Sequence, residues 1–110
     1  MSESGYSIKW TNHALLSLRI SSYYWEDIYG KISAHKYIEK MFNKAQKIII
    51  NPYAYPECRE LETPNHQYRY TMVDSYKIIF KIQNAIIYIL DVFHSSRNPD
   101  LLTVLKNIDT

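Results

Sequence analysis

Five basic side chains in the last third of the chain are the residues best suited to chemistry. Arg69, Lys77 and Lys81 lie within apolar runs, and His94 and Arg97 follow the last of these runs. Arginine and lysine bind phosphate and carboxylate groups, and histidine exchanges a proton near neutral pH. These residues therefore predict a site for phosphate or for an acidic partner, with His94 and Arg97 together at one corner.

Three strand-like runs must position these side chains. They span Tyr68–Val73, Tyr76–Ile82 and Ala85–Phe93, and only two residues separate each run from the next. Runs rich in Tyr, Ile, Val and Phe favour a pleated strand, and a two-residue gap favours a tight hairpin. The pattern predicts an antiparallel meander that ends at the polar segment after Phe93.

Alternation along the meander indicates which side chains share a face. Lys77, Ile79 and Lys81 alternate with an apolar set, and Arg69 alternates with tyrosines on the preceding strand. Since successive side chains point to opposite faces, we expect one face to present charge and the other to enter the core. A cationic face rimmed by tyrosines suits RNA or an acidic peptide, and an ordinary polar outer face remains the alternative.

The first half of the chain is predicted to form a strand and a helical hairpin. Tyr6–Trp10 alternates apolar and polar positions, and Thr11 is a good N-cap for a helix that ends near Gly30. Ser33 is predicted to cap a second helix that ends at Asn51-Pro52, because proline cannot continue a helix. A short helix is expected after Pro99. The result is an α+β domain of order β-α-α-β-β-β, with the hairpin packed on a mainly antiparallel sheet.

The second predicted helix has one basic face. Its four lysines fall within a narrow arc opposite the apolar stripe, so they form either a solvated helix face or a patch that attracts a polyanion. The four are Lys36, Lys40, Lys44 and Lys47.

Composition excludes several classes of protein. The 110 residues predict a single domain, 1–110, and the only cysteine, Cys58, allows no intrachain disulfide. The four histidines lack metal-ligand spacing and the two glycines cannot form a phosphate-binding loop, so neither a metal nor a cofactor is predicted. Residues 1–5 do not resemble a secretory signal and no apolar stretch is long enough for a membrane, which predicts a cytoplasmic protein.

The order and spacing of these elements resemble the RelE/ParE superfamily of bacterial type II toxins over about residues 6–102. Two segments carry the resemblance. Tyr76-Lys77-Ile78-Ile79-Phe80-Lys81-Ile82 is similar to the superfamily's central strand, and Val92-Phe93-His94-Ser95-Ser96-Arg97-Asn98-Pro99 is similar to its closing segment. The resemblance implies the fold described above, but it leaves the activity open because two activities share that fold.

The resemblance implies one of three functions. RelE-like members cleave mRNA on the ribosome, and in that case His94 and Arg97 would be catalytic, while Arg69, Lys77 and Lys81 would bind phosphate. ParE-like members poison DNA gyrase. The C-terminal tyrosine of the nuclease group is missing after Pro99, and the closing segment is closer to the ParE-like branch. We therefore expect a ParE-like gyrase poison, with a nuclease or an inactive antitoxin-binding module as the alternatives.

Each of these functions implies a cognate antitoxin. Antitoxins of this group wrap a partly disordered amphipathic segment around the toxin. The resemblance therefore implies an antitoxin-binding surface on the helical hairpin. We expect this surface to use tyrosine and tryptophan side chains that are exposed on the first helix, Tyr24 and Trp25 among them, together with Lys40 and Lys44 on the second.

Overall fold

Two α-helices pack on a four-stranded sheet in the computed structural model, which describes residues 5–108 and 110. The helices are α1 (Asn12–Tyr29) and α2 (Lys31–Gln46), and the strands are β1 (Ser7–Trp10), β2 (Tyr68–Val73), β3 (Tyr76–Gln83) and β4 (Ile86–His94). The strand order is β1-β4-β3-β2. β1 is parallel to β4 and the other pairs are antiparallel. The predicted α+β order and the mainly antiparallel sheet are confirmed.

The start of α1 is fixed as the sequence predicts. The Thr11 hydroxyl accepts a hydrogen bond from the Ala14 amide at 3.1 Å and donates one to the Ile89 carbonyl at 2.8 Å. The first bond satisfies an otherwise unpaired amide of the first turn. The second ties the helix to β4, so α1 begins directly above the sheet.

The predicted cap of α2 is wrong. The helix begins at Lys31 and not after Ser33, and the residue before it, Gly30, has a φ of +85°. Glycine adopts this conformation without steric cost, so the chain reverses there with no side-chain cap. The Gly30 carbonyl then accepts from the Ala34 amide at 3.0 Å, which places Ser33 inside the first turn.

Both faces of the sheet are covered, which contradicts the expectation of one charged outer face. The hairpin buries the side that carries Ile78, Phe80 and Ile87. A C-terminal 3₁₀ helix (Pro99–Asn107) buries the other side. The residues buried on that second side are Cys58, Leu61, Tyr68, Ile79, Leu90, Phe93, Leu102 and Leu105. Cys58 and Leu61 bring the loop before β2 into this core.

A β-bulge in β4 determines which of its side chains enter each core. Ile79 is opposite Asp91 but Phe80 is opposite Ile89, so Leu90 is an additional residue on β4. A bulge of this kind bends the strand and changes the direction of its side chains. Ile89 consequently packs on the helical side and Leu90 packs on the side of the C-terminal helix.

A candidate interaction cleft

The helical hairpin, the start of β3 and the end of β4 form a cleft made of two adjoining hollows. They measure about 600 Å³ and about 530 Å³, and Tyr24, Tyr76 and His94 line both. We call the two hollows together the tyrosine cleft. Further lining residues are Tyr29, Tyr37 and Asp74 in the first hollow and Ile20, Val92 and Arg97 in the second.

A buried aromatic cluster forms the base of the tyrosine cleft. The Trp25 indole N–H donates to the Tyr76 hydroxyl oxygen at 3.0 Å. The Trp25 ring meets Tyr37 edge-on with centroids 4.5 Å apart, and the Tyr76 ring meets His94 in the same way at 4.9 Å. Only 2% of Trp25 is exposed, so the expectation that its side chain is exposed on the hairpin is wrong. Tyr24 is 59% exposed, as the same expectation requires.

One mouth of the cleft is held by an ion pair between the hairpin and the sheet. The Asp74 carboxylate accepts hydrogen bonds from Lys40 Nζ at 3.1 Å and from the Tyr37 hydroxyl at 2.9 Å. These two bonds hold the pKa of Asp74 below its ordinary value. Burial and the bond to Asp74 raise the pKa of Tyr37, so its hydroxyl remains a donor. Sequence reasoning missed Tyr37 and Asp74, although Asp74 is placed in the predicted turn between two strands.

Replacing Asp74 with asparagine is expected to destabilise the fold at neutral pH and to have little effect in acid. Because the pKa is lowered in the folded state, the carboxylate stabilises the fold above its unfolded pKa and loses this contribution as the pH falls. We expect the melting temperature to fall by up to about 5 °C at neutral pH. The difference should shrink below about pH 3.9, the ordinary aspartate value.

Thermal denaturation of both proteins across this pH range tests the prediction. Asp27→Asn is the matched control, since Asp27 is exposed on α1 and has no ion-pair partner among residues 5–108 and 110. A difference for Asp74→Asn that stays constant from neutral to acidic pH would contradict the role of its charge.

At the other mouth, His94 and Arg97 lie together as the sequence predicts. His94 Nδ1 accepts from the Ser96 amide at 3.1 Å, and the Ser96 hydroxyl lies 2.6 Å from the same nitrogen. An amide can only donate, so Nδ1 carries a lone pair and the ring proton is on Nε2. The Arg97 guanidinium stacks on Phe93 at 4.8 Å. Within the described part of the chain, neither Nε2 of His94 nor the guanidinium has a hydrogen-bond partner.

The other three basic residues are not brought to this corner. Arg69 is opposite Phe80 and therefore faces the helices, whereas Lys77 and Lys81 share the opposite face with Ile79. Arg69 donates to the backbone carbonyls of His66, Tyr53 and Tyr55, so it holds the loop before β2 in place. Lys77 lies over the Tyr70 ring at 4.7 Å, and Lys81 lies over Tyr68 at 5.8 Å and bonds to Thr110.

Three lysines of α2 and Lys47, which begins the 3₁₀ turn after it, form a second surface. Lys36, Lys40, Lys44 and Lys47 line one shallow hollow of about 410 Å³ together with Glu39 and Asn43. Lys40 forms an ion pair with Asp74, and Lys44 is partly buried. The predicted basic face is therefore present, but one of its four charges is neutralised by an ion pair.

No group of three or more potential metal-ligating side chains occurs in the described ranges 5–108 and 110. Within the same residues, no helix has both the length and the apolar character needed to cross a bilayer.

Comparison with known proteins identifies the class. A solved structure described as the chromosomal ParDE TA system from P. aeruginosa has the same fold, with a TM-score of 0.70 and 18% sequence identity. The match covers 84% of this chain and 98% of the other. No curated protein matches the sequence. The fold is thus one adopted by a chain of a toxin-antitoxin system.

The family follows from the sequence itself. Residues 8–99 match the family described as ParE toxin of type II toxin-antitoxin system, parDE. This match includes both helices, all of β2, β3 and β4, and the corner that carries His94 and Arg97. The chain belongs to the ParE toxin family.

Proposed function

We propose that this toxin inhibits bacterial growth by acting on DNA gyrase and that a cognate antitoxin neutralises it. Family membership supports a type II toxin. The choice of gyrase over mRNA rests on one observation, the division of the basic residues between the two faces of the sheet. Arg69 faces the helices, and Lys77 and Lys81 lie on the face that the C-terminal helix covers.

This division weakens a nuclease mechanism because phosphoryl transfer needs several groups around one phosphate. A nuclease must activate the 2′-hydroxyl and stabilise the charge that develops on the phosphate, and a well-placed acid or base contributes about 10²–10⁴-fold in rate. Arg69 is instead occupied by three backbone carbonyls. Only His94 and Arg97 share a cleft.

The shared cleft is also the observation that favours the alternative, a ribosome-dependent mRNA endonuclease. In that mechanism His94 would transfer the proton and Arg97 would bind the phosphate. The two functions make opposite predictions for the same purified protein, so one pair of assays separates them.

We expect the purified toxin to block DNA supercoiling by gyrase and to trap cleaved DNA, while messages stay intact in a cell-free translation reaction. Supercoiling is followed on plasmid DNA, and message ends are mapped by primer extension. The variants His94→Ala and Arg97→Ala are measured in both assays, to test whether these two side chains are needed for either activity. Cuts inside the reading frame that require ribosomes and disappear in either variant would replace gyrase with mRNA as the target. Inactivity in both assays would indicate an antitoxin-binding module without toxicity.

For the antitoxin we propose a surface on the hairpin that includes Tyr24, Lys40 and Lys44. Tyr24 is exposed and lines the tyrosine cleft, Lys40 bonds to Asp74 at one mouth of the cleft, and Lys44 lines the same hollow as Lys40. Trp25 is removed from this surface because its side chain is buried. Lys44 is a better probe than Lys40, since reversal of charge at Lys40 would also break its ion pair with Asp74.

A further inference from the structure

We infer that the end of the tyrosine cleft beside β4 binds the carboxylate of an aspartate or glutamate side chain from an acidic peptide segment. Identification of that segment as part of the antitoxin rests on the proposed neutralisation, but the binding site itself does not. The inference comes from an imbalance between hydrogen-bond donors and acceptors around Tyr76, His94 and Arg97.

Two donors at this end of the cleft lack an acceptor within residues 5–108 and 110, and the guanidinium of a third lining residue, Arg97, has no ion-pair partner there. The Tyr76 hydroxyl oxygen accepts from Trp25, which leaves its proton available to another acceptor. The Ser96 amide occupies His94 Nδ1, which leaves the N–H of Nε2 as a donor. Arg97 lines the same hollow, but its guanidinium stacks on Phe93, whose ring belongs to the core on the other side of the sheet, so it leaves that ring to reach a ligand; it makes no ion pair in this part of the chain. A carboxylate accepts several hydrogen bonds at once and would satisfy this set.

The geometry of the corner is built before a ligand binds. The Ser96 bonds fix the orientation of the imidazole, and the Tyr76 ring supports it edge-on at 4.9 Å. Tyr76 is in turn held by the indole of the buried Trp25. Donors that are already oriented lose little entropy on binding, so they favour a small anionic group of defined shape.

The rest of the cleft favours a peptide over a nucleic acid. Ile20, Tyr24 and Val92 form an apolar wall in the hollow that Tyr76 and His94 also line, and such a wall suits an aliphatic or aromatic side chain next to the acidic one. The charge of Asp74 at the opposite mouth is paired with Lys40, and the described residues that line this mouth include no further Lys or Arg. A strand of successive phosphates would find no unpaired cation at that mouth, whereas a single acidic side chain needs none there.

Titration of the isotope-labelled toxin with a matched pair of short peptides tests the inference by NMR. The probes are the blocked tripeptide Leu-Asp-Phe and its analogue Leu-Asn-Phe, in which the carboxylate becomes an amide. We expect the acidic peptide to shift the signals of His94, Ser96 and Arg97 and to bind about tenfold more tightly than the amide analogue. A dinucleotide is titrated in parallel and should cause no comparable shifts.

Two variants and one control locate the carboxylate. His94→Phe keeps a ring but removes the donor, and Arg97→Gln removes the charge; each should abolish most of the preference for the acidic peptide. Lys106→Gln removes a charge from the exposed side of the C-terminal helix and should preserve that preference. All three sites are at least partly exposed, so the fold is expected to survive, which the NMR spectrum itself reports.

The outcomes are distinct from those of the gyrase assay. Equal binding of the two tripeptides, or a preference that survives both His94→Phe and Arg97→Gln, would overturn the carboxylate site. Tighter binding of the dinucleotide at the same residues would replace it with a nucleic-acid site. A failure to inhibit gyrase would overturn the proposed target and would leave the peptide titration unchanged.

Discussion

Replacing Trp25 with alanine is expected to lower the free energy of unfolding by about 3–5 kcal/mol, a large fraction of the stability of a small domain. Trp25 is 2% exposed and contacts the rings of both Tyr37 and Tyr76. Its removal leaves a large cavity between α1 and the sheet and takes away the indole donor from the Tyr76 hydroxyl. The loss should appear in chemical denaturation as a lower midpoint.

Two further substitutions test whether the loss of stability comes from the buried position of Trp25. Trp25→Phe keeps an aromatic ring and removes the hydrogen bond, so we expect a smaller loss of about 1–3 kcal/mol. Tyr24→Ala, one position earlier on α1 and 59% exposed, should change stability by less than about 0.5 kcal/mol. Loss of antitoxin binding in Tyr24→Ala without loss of stability would then identify a contact residue. Full stability of Trp25→Ala would contradict the packing described above.

The contrast between Tyr24 and Trp25 shows a limit of sequence reasoning. Adjacent residues on a helix differ by about 100° in direction, and several positions of α1 are apolar around most of its circumference. Leu16, Ile20 and Ile28 are exposed although they are apolar, so the sequence pattern of α1 does not indicate which side is buried. Trp25 is on the buried side, where its indole donates a hydrogen bond to Tyr76, 51 positions away along the chain. A contact at that distance along the chain is not visible in the local sequence pattern.

The strands could be predicted closely because local chemistry determines them. β2, β3 and β4 end within one residue of the predicted limits, since two-residue gaps with residues of positive φ, Asp74 and Asn84, force hairpins. The separation of Arg69 from Lys77 could also have been predicted. A two-residue turn pairs Val73 with Tyr76, and counting back along both strands places Arg69 opposite Phe80.

The covered second face of the sheet could not be predicted in the same way. The sequence predicts a short helix after Pro99, but the position where it packs depends on contacts with residues far away along the chain. Leu102 and Leu105 pack on Ile79, Leu90 and Phe93 and on the loop that carries Leu61. Because of this packing, the face of β3 that carries Lys77 and Lys81 borders the second core. Both lysines are therefore partly buried, each over a tyrosine ring.

Substitution of either buried leucine of the C-terminal helix by alanine is therefore expected to cost about 2–5 kcal/mol of the free energy of unfolding. Leu102 is 0% exposed and Leu105 is 1% exposed, and both belong to the second core. The same helix provides matched controls in Leu101 and Val104, which are 48% and 54% exposed. Alanine at these two positions should cost less than about 1 kcal/mol, and urea denaturation of the four variants measures the difference.

The same four variants test how far the second core matters for toxicity. The tyrosine cleft lies on the hairpin side of the sheet, so Leu102→Ala and Leu105→Ala act on it only through the stability of the whole domain. Under conditions in which the variants remain folded, we expect gyrase inhibition to match that of Leu101→Ala and Val104→Ala. Equal stability of all four variants would show that the C-terminal helix does not cover the sheet. Reduced gyrase inhibition in folded Leu102→Ala and Leu105→Ala alone would instead place part of the gyrase-binding surface on the C-terminal helix.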